Sequence, residues 1–140
     1  MKKNCVTAKQ AFELEKLGFK EKTRFLTYCG KNLDNIKVAR LPTVDETIDW
    51  LRRKYHIIIY NHCEPFVDPA DKKVYFNYRV KKCNKEWNWR IYIGTTKLSS
   101  NPYAVKRMAI RMAINFLKNE AAVHKNRKKI RKIQSCANRR

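Results

Sequence analysis

The stretch Thr43–His62, TVDETIDWLRRKYHIIIYNH, holds the change of period on which the fold turns. Thr43-Val44-Asp45-Glu46 is a capping box, in which the threonine hydroxyl accepts the Glu46 amide and the carboxylate reaches back to the Thr43 amide. Behind it Val44, Ile48, Leu51 and Tyr55 share one face at helical spacing, which predicts a helix over 44–55. The pattern then changes to Ile57-Ile58-Ile59-Tyr60. Branched side chains suit a pleated surface better than a helix, so residues 57–62 are expected to form a strand.

Downstream, Glu64-Pro65-Phe66-Val67-Asp68-Pro69-Ala70-Asp71 reads as a turn-rich connection. Val74, Phe76, Tyr78 and Val80 alternate with Tyr75, Asn77, Arg79 and Lys81, and Trp89, Ile91 and Ile93 alternate with Arg90 and Tyr92. This two-residue period predicts strands over 74–82 and 89–93, joined as a hairpin across residues 84–88. Asn101 and Pro102 form a helix start, and Met108, Ala109, Met112, Ala113 and Phe116 supply the buried side of a helix over 102–120. No Gly or Pro follows Tyr103, which lets that helix run on into the basic tail. Upstream, residues 7–17 read as a short helix with Ala8, Ala11, Phe12 and Glu15 in helical steps and Gly18 as its stop. Two short strands, 24–28 and 36–39, follow as a hairpin. The expected fold is α/β of the α+β kind. An antiparallel sheet of three or more strands carries helices on one face, because each strand offers a single apolar face. Residues 1–121 form one domain in this reading, and 122–140 a basic tail or helix extension.

A hydrophobic fraction of 44% in 140 residues is too high for a disordered chain and suits one core. No apolar run is long enough for a membrane span, and Met1-Lys2-Lys3-Asn4-Cys5-Val6 lacks the apolar stretch of a signal peptide. The five cysteines are odd in number, widely spaced and without a C-x-x-C pair. That argues against a disulfide framework or a zinc site, for a cytoplasmic setting, and for each cysteine as a small buried hydrophobe.

The net charge of +21 is unevenly distributed. Residues 1–71 carry 13 Lys/Arg against 10 Asp/Glu, a net of +3, whereas residues 72–140 carry 20 against 2, a net of +18. So one-sided a field costs stability through self-repulsion and points to a polyanionic partner, with nucleic acid (DNA or RNA) ahead of an acidic membrane surface. Two surfaces compete for it. On the last helix, Arg107, Arg111, Lys118, Lys125, Lys129 and Lys132 fall at roughly 0, 40, 20, 0, 40 and −20°, one narrow basic stripe. Arg127, Lys128 and Arg131 add to the tail, and Lys97 and Lys106 lie before and at the helix start. On the outer face of the sheet, Tyr75, Arg79, Lys81, Arg90 and Tyr92 interleave aromatic and basic groups as single-stranded nucleic acid requires. Trp87 beside Lys85 is the aromatic expected at the hairpin tip. The alternative is that the N-terminal helix or a second protomer covers these tyrosines.

Catalytic and metal constellations are poor, and no cofactor is expected. His56, His62 and His124 are scattered; Asp45, Glu46 and Asp49 are explained by helix capping and dipole; Asp68 and Asp71 by turn chemistry. With only three glycines, the chain offers no phosphate-cradling loop. The expectation is a protein that is not an enzyme.

The order helix 44–55, three strands, helix 102–120 resembles the α-β-β-β-α arrangement of double-stranded RNA-binding domains. Ser99-Ser100-Asn101-Pro102-Tyr103-Ala104-Val105-Lys106-Arg107-Met108-Ala109 is similar to the final helix of that family, where lysines at the helix start grip phosphates. Lys106 and Arg107 are the nearest counterparts. The family's Gly-Pro-x-His signature is absent, and residues 1–41 have no counterpart. Over residues 8–118 the wording is closer to small uncharacterised proteins of gut Bacteroidales and their phages or mobile elements. The carriers are Leu17-Gly18-Phe19, Pro42-Thr43-Val44-Asp45-Glu46, Asp49-Trp50-Leu51-Arg52, Ile57-Ile58-Ile59 and the alanine-spaced last helix. That resemblance implies a phage or prophage setting in a bacterial cell and lends no activity. The reading is therefore a non-catalytic nucleic-acid-binding accessory protein. The alternative is a structural, virion-associated or protein-interaction module, with another protein or a second copy on the outer sheet face.

Overall fold

The Thr43 hydroxyl accepts the Glu46 N–H at 3.1 Å, and the Glu46 carboxylate accepts the Thr43 N–H at 3.2 Å. From that cap helix α2 runs Val44–Tyr55 and buries Val44, Thr47, Trp50 and Leu51. His56 then adopts a left-handed conformation (φ 57°), ending the helix and turning the chain directly into β3 (Ile57–Asn61). The computed structural model describes residues 2–30, 33–88 and 90–138. The remaining elements are α1 (Ala8–Lys16), β1 (Phe25–Cys29), a 3₁₀ turn (Leu33–Asn35), β2 (Lys37–Leu41), β4 (Phe66–Val67), β5 (Val74–Tyr75), β6 (Tyr78–Cys83), β7 (Arg90–Thr95) and α3 (Pro102–Asn138). The class is α+β, as expected. Among the described residues, no helix is long and apolar enough to cross a membrane.

Strands β3, β6 and β7 form an antiparallel sheet in that order, and β1 and β2 form a separate antiparallel hairpin. Helix α2 packs against β3, and α3 against β6 and β7, all on one face; α1 packs against β1, β2 and α3. Ile57, Val80, Trp50, Leu51, Leu14, Phe19, Ala109, Ile110, Ala113 and Ile114 meet in the core. The Trp50 ring stands edge-on to Phe19 and Tyr55, with centroids 5.2 and 5.5 Å away.

Five expectations need correction. The strand expected over 74–82 is two strands: β5 pairs with β4 in a small ribbon, and β6 pairs with β3 and β7. The ladder changes partners at Phe76, whose backbone exchanges hydrogen bonds with Ser99 (2.9 and 3.1 Å), while Asn77 accepts His62 N–H at 3.1 Å. The strand expected over 89–93 runs Arg90–Thr95, and Trp89 lies outside the described residues. There Val80 pairs with Gly94 and Lys81 with Tyr92, so Ile93 is an extra residue, a bulge. It keeps Ile93 on the core while sending Tyr92 to the other face. The last helix buries Val105, Ala109, Ile110, Ala113, Ile114 and Leu117, a face rotated from the one expected, because α3 is packed between the sheet and α1. Helix α1 likewise buries Gln10, Ala11 and Leu14, with Ala8 exposed. Finally, only Cys5 and Cys83 are buried cysteines; Cys29, Cys63 and Cys136 are exposed.

Candidate nucleic-acid interface

Helix α3 carries the expected basic stripe, but its first half is tied into the protein. Lys106 Nζ donates to Asp45 Oδ1 at 2.8 Å. Burial is the largest single influence and lowers the lysine's affinity for its proton, but the Asp45 hydrogen bond together with the charges of Asp45, Tyr78 and Tyr103 outweighs it, leaving its pKa above the usual value. Arg107 Nη1 donates to the carbonyls of Lys3 and Cys5 at 2.9 and 3.2 Å, holding the N-terminal segment on the helix. Lys118 Nζ lies 2.8 Å from Glu13 Oε2 on α1. Arg111 is exposed and shares a shallow hollow with Lys9, Gln10 and Glu13. The two residues that the double-stranded RNA-binding resemblance assigns to a phosphate grip, Lys106 and Arg107, therefore already serve the fold.

Beyond Leu117 the helix leaves the body, and every residue from Lys118 to Asn138 is exposed. Its 37 residues span roughly 55 Å at 1.5 Å per residue. On this projecting part Lys125, Lys128, Lys129 and Lys132 lie within an arc of roughly 100° and border one shallow hollow with Ala122 and Asn126. Arg131 stands on the adjoining flank, Arg127 on the far side with the exposed Val123 and Ile130, and the exposed Ile133 borders the stripe beside Lys129. Among the described residues none of these six cations makes an ion pair. Part of the acid complement pairs elsewhere: Glu13, Glu15, Glu21, Asp45, Asp49 and Glu120 meet cations of the helices, β2 or Lys82.

The second surface is the outer face of β3-β6-β7. In this register Tyr60 lies opposite Arg79, Ile58 opposite Lys81, and Lys81 in turn opposite Tyr92. Arg79 stands over the Tyr92 ring, 5.6 Å from its centroid, and Lys81 over the Tyr60 ring at 5.8 Å. The Tyr92 hydroxyl shares a 2.8 Å hydrogen bond with Thr95 Oγ1, and 58% of Tyr92 is exposed. Arg79 Nε is shut off from solvent and has no hydrogen-bond partner. Arg90 is exposed on β7 opposite Cys83. Helix α1 is not across this face, since it packs on the first hairpin and α3.

Tyr75 does not join this face. It sits in the β4–β5 ribbon, its ring stacked on Phe66 at 5.9 Å and its hydroxyl donating to Asp71. That bond raises the tyrosine pKa and lowers the aspartate's. Trp87 is 39% exposed in a left-handed turn position, with its ring 4.7 Å from His56. Lys97 is exposed in the loop before α3. Tyr60 is the residue that sequence reading missed. The run Ile57-Ile58-Ile59-Tyr60 does not alternate, so only the pairing with β6 reveals which of its side chains face outward.

Where α3 leaves the body, a hollow of about 730 Å³ opens between Leu17, Tyr55, Phe116 and Val123, with His124 and Arg127 also lining it. Among the described residues, no three of His, Cys, Asp and Glu come together closely enough to hold a metal. No family model, curated protein or solved structure matches the chain.

Proposed function

We propose that this protein is a non-catalytic nucleic-acid-binding accessory protein that holds phosphates along its basic C-terminal half. Its setting is a phage or mobile element acting in the cytoplasm of a bacterial host, as the resemblance over residues 8–118 implies. One observation carries the binding reading: acids neutralise cations on the helical side of the fold, leaving two uncompensated fields. One is the projecting helix with Lys125, Arg127, Lys128, Lys129, Arg131 and Lys132; the other is the outer sheet face with Arg79, Lys81 and Arg90. A solvated, unpaired row of cations on a rod-like helix suits contact with a phosphate backbone, where released counterions supply the free energy.

Fluorescence anisotropy with labelled duplexes and single strands at several salt concentrations tests the proposal. Binding should weaken steeply with salt, and truncation after Asn119 should reduce the log–log slope by about 3 to 5 for duplex DNA. Binding that is flat with salt, or no tighter than to heparin, would count against it.

A second reading, a protein-interaction or virion module, is favoured by one feature of the first hairpin. Leu26, Tyr28, Ile36 and Val38 are all about half exposed, and Leu26, Tyr28 and Val38 share one face of the hairpin. A defined oligomer in gel filtration that is lost on Tyr28→Glu, together with no nucleic-acid binding, would favour that reading.

A further inference from the structure

We infer that the outer face of β3-β6-β7 is a stacking platform for single-stranded nucleic acid, with Tyr60 and Tyr92 receiving bases and Arg79 a phosphate. The inference rests on the nucleic-acid reading and names the ligand class of one of its two fields.

The arrangement is specific. Arg79 is on the central strand, directly opposite Tyr60 on one neighbour and diagonal to Tyr92 on the other. From strand spacing and rise, the two tyrosines stand roughly 12 Å apart, with the guanidinium between them. Each ring carries a cation at cation–π distance, an arrangement that can be self-sufficient on a solvated sheet. Arg79 breaks that self-sufficiency. Its Nε is removed from water and finds no acceptor, so a shift of the guanidinium off the Tyr92 ring toward an arriving phosphate oxygen would satisfy a donor that the free protein leaves unmet. Among the described residues, neither Arg79, Lys81 nor Arg90 makes an ion pair, and the outward positions Ile58, Tyr60, Arg79, Lys81, Tyr92 and Thr95 include no acid.

The same geometry selects strandedness. In a duplex the base faces are stacked on one another, and a sheet face cannot reach them. In a single strand they can lie on a tyrosine ring while the backbone follows the cations. The Tyr92–Thr95 hydrogen bond holds one ring in place before the ligand arrives. The projecting α3 offers charge alone and does not distinguish the two forms.

The full-length protein should be titrated with a labelled thymidine oligonucleotide of about 12 nucleotides and with a duplex of the same length. Wild type is compared with Tyr60→Leu/Tyr92→Leu and with Tyr60→Phe/Tyr92→Phe, each checked by circular dichroism. Leucine should weaken the single strand at least about tenfold and leave the duplex unchanged, while phenylalanine, which keeps both rings and loses only the Tyr92–Thr95 hydrogen bond, should stay within about threefold of wild type. If the leucine variant binds the single strand like wild type, or loses both ligands equally, the platform is wrong and the nucleic-acid reading stands. If wild type binds neither probe, the reading itself falls, and the inference with it.

Discussion

Two residues turn helices off by entering left-handed space, and only one of them is glycine. Gly18 (φ 99°) ends α1: its N–H bonds to Glu15 O at 3.0 Å and that of Phe19 to Leu14 O at 2.9 Å, a Schellman closure. A methyl group at Gly18 would meet nothing within 4 Å, so backbone strain alone would act. Gly18→Ala should lower stability by about 1 kcal/mol or more in urea unfolding. The role of Gly18 as a stop was legible in the sequence; that of His56, which does the same after α2, was not, because nothing local requires a histidine there. Capping was legible too. Thr43→Ala should cost about 1 kcal/mol by the same measurement. The Thr7–Gln10 box that starts α1 follows the same rule, with both of its hydrogen bonds at 3.1 Å. Asp49 gives a pH signature. Hydrogen bonds from Arg52 and Arg53 hold its carboxyl below the usual value. The stability it contributes is therefore present above its unfolded value of about 4 and is lost as pH falls through its lowered folded value. Asp49→Asn should remove that part of the acid limb, and added salt should shrink the difference because the group is exposed.

At the scale of elements, the two long-range surprises have one cause: partner choice is not written in local periodicity. Phe76 and Asn77 keep the alternation of their neighbours, so nothing in residues 74–82 marks the point where the chain leaves β4 for β3 and β7. The pattern did place Arg79, Lys81 and Tyr92 on one face, since an antiparallel sheet with one buried side enforces it. It placed Tyr75 there as well, because alternation continues through a change of partner. Helix α3 is the opposite case. Lacking glycine and proline, it runs unbroken to Asn138, although its last buried side chain is Leu117. A helical stretch of that length without packing is marginal by itself, and it persists by propagation from the docked turns. Truncation after Glu120, which keeps the ion pair of that residue with Lys82, should therefore leave the urea midpoint unchanged while reducing far-ultraviolet helical signal. A drop in the midpoint would mean that the projecting segment packs on the body.

For the whole molecule, the imbalance of +21 should act on folding and on the proposed binding with opposite sign. Ten of the 12 acids lie in residues 1–71, and Glu13, Glu15, Glu21, Asp45, Asp49 and Glu120 pair with cations of the helices, β2 or Lys82. The unpaired cations of β6, β7 and the end of α3 thus repel one another across one molecule. This repulsion opposes the compact state, and salt screens it over a length of about 10 Å at 0.1 M. Added potassium chloride should therefore raise the melting temperature, whereas a protein stabilised mainly by surface ion pairs would lose stability. The same salt should weaken the proposed nucleic-acid binding, because each released counterion gains less free energy on entering a more concentrated bulk. The opposed trends, read by thermal unfolding and anisotropy on one preparation, separate two meanings of the charge. If the melting temperature falls with salt, the six ion-paired acids dominate stability, and the C-terminal cations are too far apart or too well solvated to act as one field. If it rises while binding weakens, the cations are held against their own repulsion, as a surface built for a polyanion would be. Polyphosphate, which supplies the charge without the bases, should then stabilise the wild type and the tyrosine-to-leucine variant alike.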